Sequence, residues 1–160
     1  ESYYIDRVSE YIAENVLTKE EQDFNQTTVY CTRETAVGDI VNCARRYPMM
    51  AKYQVLIVKE AQNLLKLDEL AVYAQNPLET TILVICYKNG TVDRRKKLVP
   101  AIEKVGVVFE SKKLKDGMLP QVKVGHSLLK CMMLPIMGIF LEMMMKRSIS
   151  HRICMMRFKN

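Results

Sequence analysis

The sequence of 160 residues has no tryptophan, two histidines and six glycines, and these shortages exclude several kinds of site. It contains no GxxxxGK[ST] motif, so the backbone cradle, lysine and magnesium-binding hydroxyl of a phosphate loop are missing. His151 and Cys154 form a lone H-x-x-C pair, whereas a structural zinc site needs four ligands. No nucleophile elbow is seen, although triad residues spread along a chain would leave no sequence signal. We therefore expect no cofactor, no metal site and no catalytic residue.

Signals for secretion or membrane insertion are also lacking. The five cysteines form no CxxC pair, and an odd number of them is typical of a reducing cytoplasm. The first residues are charged throughout, unlike a signal peptide. The most apolar stretch, Leu128 to Met145, is interrupted by Lys130, Pro135 and Glu142 and falls short of the ~20 apolar residues that a membrane span needs. We expect a cytoplasmic protein with no membrane partner.

The charge is unevenly distributed along the chain. Residues 1–111 hold 14 basic and 16 acidic residues, a net charge of −2, whereas residues 112–160 hold 10 basic and two acidic residues, a net charge of +8. Nine of the 11 methionines also lie from Met118 onward. This break predicts a change of structural unit near residue 115, so the overall charge of +6 does not describe one domain.

Helical and strand patterns alternate over the first two thirds of the chain. Helical spacing of apolar residues predicts a first helix that includes Ile5 to Val16, and further helices from Thr32 or Glu34, from Asn63 and from about Arg94. Short β-branched or continuous apolar runs predict the strands Thr27–Cys31, Val55–Val58, Thr80–Tyr87 and Gly106–Glu110. This alternation predicts an α/β fold: a three-layer, mostly parallel sheet with helices on both faces.

The pattern opens on a helix, whereas a doubly wound unit normally opens with a strand and a loop. We therefore expect the first strand and loop to lie upstream of residue 1. A P-loop ATPase also ends a later strand with acidic residues that hold Mg²⁺. Here the run Val55–Val58 is followed by Lys59 and Glu60, which places a cation where a metal-binding carboxylate would lie. The sequence argues against nucleotide hydrolysis.

Two adjacent methionines, Met49 and Met50, lie in the short connection between the second predicted helix and the strand Val55–Val58. Pro48 disfavours a helical conformation at Tyr47 and ends that helix. Large apolar side chains are unusual where polar turn residues normally lie. The residues alone leave two interpretations open: one or both methionines point inward and cap the helix–strand junction, or they form a surface plug for a partner protein.

A second unusual feature is the run VDRRKKL. Asp93 can cap the fourth helix, but Arg94, Arg95, Lys96 and Lys97 then crowd the first turn, where cations oppose the helix dipole. The arrangement suggests an anionic partner, either DNA phosphate or an acidic face of a neighbouring subunit. A solvated charge run is the alternative interpretation, because exposed charges are weakly constrained.

Five blocks of this sequence resemble, in order and spacing, the delta subunit of bacterial DNA polymerase III. They are YYIDRVSEYIAENVL, DFNQTTVYC, ARRYPMMAKYQVLIVKEAQNL, NPLETTILVICYKNGTVDRRKKL and GVVFESKKL, and they are spread over residues 3–114. The resemblance implies an AAA+ (P-loop NTPase-like) fold with a degenerate phosphate loop, in a non-catalytic subunit of the clamp loader that serves a DNA-directed DNA polymerase.

The resemblance also implies partners and binding residues. Delta subunits bind the ring-shaped sliding clamp, the beta subunit, through two bulky apolar residues at the positions of Met49 and Met50. We therefore expect Met49 and Met50, flanked by Tyr47 and Pro48, to bind and help open the clamp during DNA replication. Other clamp-loader subunits are implied as partners, with the DNA backbone as a further candidate.

The resemblance fades beyond about Lys115. The family continues into a helical lid with a tryptophan and then a helical collar domain, neither of which this sequence shows. We expect residues 1–115 to form the AAA+-like domain and residues 116–160 a divergent, helical lid-like segment. The alternative function is a nucleotide- or flavin-binding α/β enzyme with an unrecognised loop.

Overall fold

The computed structural model describes residues 2–88, 97–112 and 153–159. The helices are α1 (Ser2–Asn15), α2 (Lys19–Asn25), α3 (Val37–Ala44), α4 (Leu70–Gln75) and α5 (Leu98–Val105). The strands are β1 (Gln26–Tyr30), β2 (Gln54–Lys59), β3 (Thr81–Tyr87), β4 (Gly106–Lys112) and β5 (Ile153–Lys159). All five strands join one parallel sheet in the order β1-β2-β3-β5-β4.

The sheet is covered on both faces because the side chains of its strands alternate in direction. One face packs against α1 in a cluster of Ile5, Val8, Ile12, Leu17, Val55, Ile57, Ile82, Val84 and Cys86. The other face packs against α3, α4 and α5, with Ile40, Leu56, Val58, Leu70, Tyr73, Leu83, Ile85, Leu98 and Ile102 among its buried residues. Each such side chain, when fully buried, contributes about 1.5–3 kcal/mol. The continuous apolar runs of β2 and β3 are explained by these two cores.

The short helix α2 begins with a capping box that fixes its start. The Glu21 backbone N–H donates to Thr18 Oγ1 (3.4 Å), and the Thr18 N–H donates to the Glu21 carboxylate (2.9 Å). Two N–H groups that a helix start leaves without partners are thereby satisfied. The helix ends at Asn25, directly before β1, so it places Phe24 and Asn25 at the amino edge of the sheet.

The third predicted helix is shorter than its periodicity indicates. Residues Ala61–Asn63 and Leu67–Glu69 form separate 3₁₀ turns, and only Leu70–Gln75 is α-helical. The break lies at Leu64, whose backbone is extended and whose side chain is buried. In addition, the Asn63 amide donates to the Cys31 carbonyl (3.0 Å), which ties this connection to the end of β1.

The prediction of a helical segment at residues 116–160 is wrong for residues 153–159. These residues form β5, which pairs with β3 along Leu83–Tyr87 and with β4 along Gly106–Lys112. Methionine-rich sequence favours a helix locally, but backbone pairing with a strand on each side outweighs that small preference. Residues 113–152, including the predicted domain boundary and the apolar stretch 128–145, lie outside the described residues.

The α/β prediction is confirmed, with a parallel sheet and helices on both faces. Its assignment to the AAA+ class stays a prediction. Across residues 2–88, 97–112 and 153–159, no helix is long and apolar enough to cross a membrane.

Candidate interaction site

The connection between α3 and β2, residues 45–53, is hereafter called the methionine loop. Tyr47 is 74% exposed, Met49 is 63% exposed and Met50 is fully exposed, while Pro48 is half-buried. Neither methionine belongs to either apolar cluster of the sheet. The interpretation that one or both methionines point inward into the core is therefore wrong. Three large side chains of one loop present apolar surface to solvent.

The backbone of the methionine loop is strained at Met50. Its φ of +53° lies in the left-handed region, which a residue other than glycine adopts at a cost of roughly 1–2 kcal/mol. Such strain persists only when the surrounding structure holds it in place. A fully exposed methionine gains little core packing there, so burial in this chain does not explain its presence.

Hydrogen bonds at the end of α3 fix one side of the methionine loop. The Gln54 amide donates to the Arg46 carbonyl (2.6 Å), while Thr81 Oγ1 donates to the Ala44 carbonyl (2.8 Å). The buried Tyr73 hydroxyl also donates to the Ala44 carbonyl (3.2 Å). Carbonyls at a helix end have no partners within the helix, so these bonds satisfy them and hold the departing chain.

Asn25 holds the other side of the loop through Met49. The Met49 N–H donates to Asn25 Oδ1 (2.6 Å), and Asn25 Nδ2 donates to the Met49 carbonyl (2.9 Å). Asn25 is 4% exposed, although it lies 24 positions before Met49 in the sequence. Its carboxamide therefore engages both backbone groups of Met49 from a neighbouring element.

A small open pocket of about 110 Å³ adjoins the loop, with Phe24, Cys43, Arg46, Tyr47, Met49 and Gln54 among its lining residues. Phe24 is 72% exposed. Reasoning from the sequence missed Phe24, although its position gave a signal. It comes two residues before β1, just as the methionine loop comes before β2, and parallel strands begin at the same edge of a sheet.

The carboxyl edge of the sheet carries a compact set of ion pairs, hereafter the lysine–carboxylate cluster. Lys88 Nζ lies 2.8 Å from Asp6 Oδ1 and 3.2 Å from Glu60 Oε1, and Lys59 Nζ lies 3.8 Å from Asp6 Oδ1. Both lysine side chains are less than one fifth exposed. Lys59 thus stands at the end of β2, as the sequence predicts, and pairs with a carboxylate of α1.

Burial and charge around the lysine–carboxylate cluster shift the pKa values of Lys88 and of two cysteines, Cys31 and Cys86. Burial lowers the pKa of Lys88, but its hydrogen bonds to Asp6 and Glu60 outweigh that effect and raise the pKa above its ordinary value. Burial, followed by the negative charge of Glu60, raises the pKa of Cys31 to about 11. Burial also raises the pKa of Cys86 to about 12. Both thiols are therefore protonated near neutral pH, unlike reactive cysteines.

The basic run before α5 is described only in part. Arg94, Arg95 and Lys96 lie outside the described residues. Lys97 is exposed at the N-cap of α5, and its carbonyl accepts a bond from the Ala101 N–H (3.1 Å). The structure therefore places one of the four predicted contact residues at a helix start.

The fold and this site define a three-layer α/β domain that presents an exposed apolar loop at the amino edge of its sheet. Residues 1–112 match the family described as DNA polymerase III, delta subunit. The chain therefore belongs to the DNA polymerase III delta subunit family, and the resemblance seen in its sequence is confirmed.

A curated relative is the DNA polymerase III subunit delta of Bacillus subtilis strain 168. It is 27% identical over 124 residues, and the alignment covers 71% of this chain and 35% of the relative. The chain thus spans about a third of the length of that relative. No solved structure matches the chain.

Proposed function

We propose that this chain is a non-catalytic clamp-loader component that binds the sliding clamp of DNA polymerase III through Met49 and Met50 and helps to open it. The observation that carries the proposal is the exposure of these two side chains on a loop held at both sides. A preformed loop has less conformational entropy to lose on binding. Methionine suits this role because its flexible, polarizable side chain adapts to the shape of a groove.

The apolar surface is large enough to contribute substantially to affinity. Burial of both methionine side chains in a partner would supply roughly 3–6 kcal/mol before ordering costs. Tyr47 and the half-buried Pro48 extend the same surface, and Phe24 lies beside Met49 on the adjoining pocket. Aromatic residues are enriched among the residues that dominate binding energy at interfaces.

A non-catalytic role is favoured by the lysine–carboxylate cluster. In doubly wound folds, ligands bind outside the carboxyl ends of the strands. Here Lys59 and Lys88 lie at the ends of β2 and β3, and carboxylates of the same chain already neutralise them. We infer an AAA+-type scaffold in a bacterial cytoplasm that does not turn over nucleotide. Tight binding of ATP with turnover would reject this part of the proposal.

The basic run 94–97 supplies a second contact in the proposal. Four consecutive cations would attract DNA phosphate or an acidic face of another clamp-loader subunit. Reversing the four charges should weaken DNA binding and flatten its dependence on salt. If the affinity for DNA and its dependence on salt are both unchanged, the basic run does not bind DNA.

The experiment for the clamp contact is an equilibrium titration of the chain with the cognate sliding clamp. Met49→Ala/Met50→Ala should weaken binding by at least about a hundredfold, as expected for loss of two central apolar contacts. Its thermal midpoint should stay close to that of the wild type, because both side chains are exposed. Leu65→Ala is the matched control, since Leu65 is 79% exposed and follows β2 rather than preceding it. Equal affinity of the double variant and the wild type would reject the methionine contact.

A further inference from the structure

Asn25 is the side chain that links α2 to the methionine loop. It lies at the end of α2, and its carboxamide faces the backbone of Met49. The same Nδ2 group also donates to the Glu21 carbonyl within α2 (3.1 Å). Both ends of the amide thus have partners in a buried position, where polar groups without partners are costly.

The Asn25 side-chain amide fixes the backbone conformation of the segment that carries both methionine side chains. Because it engages the N–H and the carbonyl of Met49 together, it restrains the peptide units on both sides of that residue. Met50 follows directly in its left-handed conformation. The directions of the two exposed side chains therefore depend on a residue that itself presents almost no surface to a partner.

Asparagine matches this position in a way that its closest substitutes do not. Aspartate keeps an acceptor for the Met49 N–H, but a carboxylate oxygen would face the Met49 carbonyl oxygen, and both are acceptors. A protonated aspartate would regain a donor and could restore the second bond. Serine is too short to engage both backbone groups through separate atoms.

From this geometry we propose that Asn25 is a positioning residue for partner binding, which holds the methionine loop in its binding-competent form before the partner arrives. The inference rests on the proposed function, because the partner is the sliding clamp. A loop released from Asn25 would have to be ordered on binding, and that ordering lowers affinity.

The test compares Asn25→Asp with the wild type by clamp titration at several pH values. At neutral pH, Asn25→Asp should weaken binding by about tenfold or more, a loss in the range for one disrupted buried hydrogen bond. The ratio of the two affinities should shrink as the pH falls and the carboxylate is protonated. Ile12→Val is the matched control: it removes one methylene group from the core on the α1 face and should lower the thermal midpoint without changing affinity.

A second measurement keeps the inference separate from the proposed function. Amide hydrogen exchange of the free chain should be faster at Met49 in Asn25→Asp, because the bond from the Met49 N–H to residue 25 weakens when the loop is released, while β2 and β3 stay protected. If Met50→Ala weakens clamp binding and Asn25→Asp does not, the positioning role is overturned and the proposed function stands. If the wild type does not bind the clamp, the proposed function fails and the role of Asn25 in clamp binding fails with it. Exchange then still tests whether Asn25 holds the loop, and unchanged exchange at Met49 overturns that part of the inference. Should Asn25→Asp not fold, Asn25→Ser takes its place, with the same expected losses and no recovery at low pH.

Discussion

Lys88 Nζ lies 2.8 Å from Asp6 Oδ1, which joins the end of β3 to the first helix of the chain. The two residues are 82 positions apart, and Glu60 completes the contact from the end of β2. Gln62 adds a hydrogen bond to Glu60 and accepts another from the Lys88 backbone N–H (3.1 Å). Side chains of the same chain therefore occupy the carboxyl edge of the sheet and bond to one another there.

Lys88→Met should destabilise the fold at pH 7, because it leaves Asp6 and Glu60 without their shared cation. The expected loss is about 1–3 kcal/mol, the range for hydrogen bonds to charged groups, since the cluster is only partly buried. Urea unfolding measures it. The matched control is Lys66→Met, because Lys66 is 75% exposed and pairs with Glu69 at 3.5 Å on the surface, where such pairs contribute little.

The same pair of proteins should show a defined pH dependence. The folded-state pKa of Lys88 lies above the ordinary value of 10.5, so its contribution is fully present below pH 10.5 and is lost as the pH rises through the folded-state pKa. The stability difference between the wild type and Lys88→Met should therefore be constant near neutral pH and shrink above pH 10.5. A constant difference across that range would contradict the role of the Lys88 charge.

Substitutions at Met50 should separate backbone strain from side-chain function. Met50→Gly relieves the left-handed strain but adds freedom to the unfolded chain, so stability should change by less than about 1 kcal/mol. Met50→Val places a β-branched residue at the same positive φ and should cost about 1–2 kcal/mol. Both variants should lose clamp affinity. Equal urea midpoints for the two variants would show that Met50 does not hold this conformation in solution.

Proline in β5 tests the inner position of that strand. Met155 is paired with Ile85 of β3 on one side and with Val108 of β4 on the other. Met155→Pro removes a backbone donor between two strands and should cost ~3 kcal/mol or more, as proline does inside regular structure. Lys19→Pro, at the first position of α2, is the control and should be tolerated, because proline fits the first turn of a helix. An unchanged urea midpoint for Met155→Pro would exclude β5 from the sheet.

The sequence predicts the inner strands well and the connections poorly. β2 and β3 agree with the predicted strands to within one residue at each end, because strands buried on both faces have continuous apolar runs. The capping box from Thr18 to Glu21 is a readable signal for α2, which the prediction nevertheless lacked. The strand β5 could not be predicted from its own residues, because its conformation depends on strands far away in the sequence. Met155, for example, pairs with residues 70 and 47 positions before it.

The candidate site was predictable in residue type but not in geometry. An adjacent pair of methionines after a proline marks an unusual connection. The same residues, however, are compatible either with a buried helix–strand junction or with an exposed loop. The outcome depends on Asn25, whose contact with Met49 spans 24 positions and follows no local rule. Phe24 could have been predicted to lie near the methionine loop, because the starts of the parallel strands β1 and β2 lie at the same edge of the sheet.

Phe24 provides the last test of where the partner binds. Phe24 is 72% exposed and lines the pocket beside Met49, so Phe24→Ala should leave the thermal midpoint nearly unchanged. If the clamp covers the whole surface, the variant should lose about five- to thirtyfold in affinity, as expected for an aromatic contact near a binding centre. Val72→Ala, at a 66% exposed position on α4, is the control for apolar surface elsewhere. Wild-type affinity in Phe24→Ala, alongside weakened binding in Met50→Ala, would confine the contact to the methionine loop.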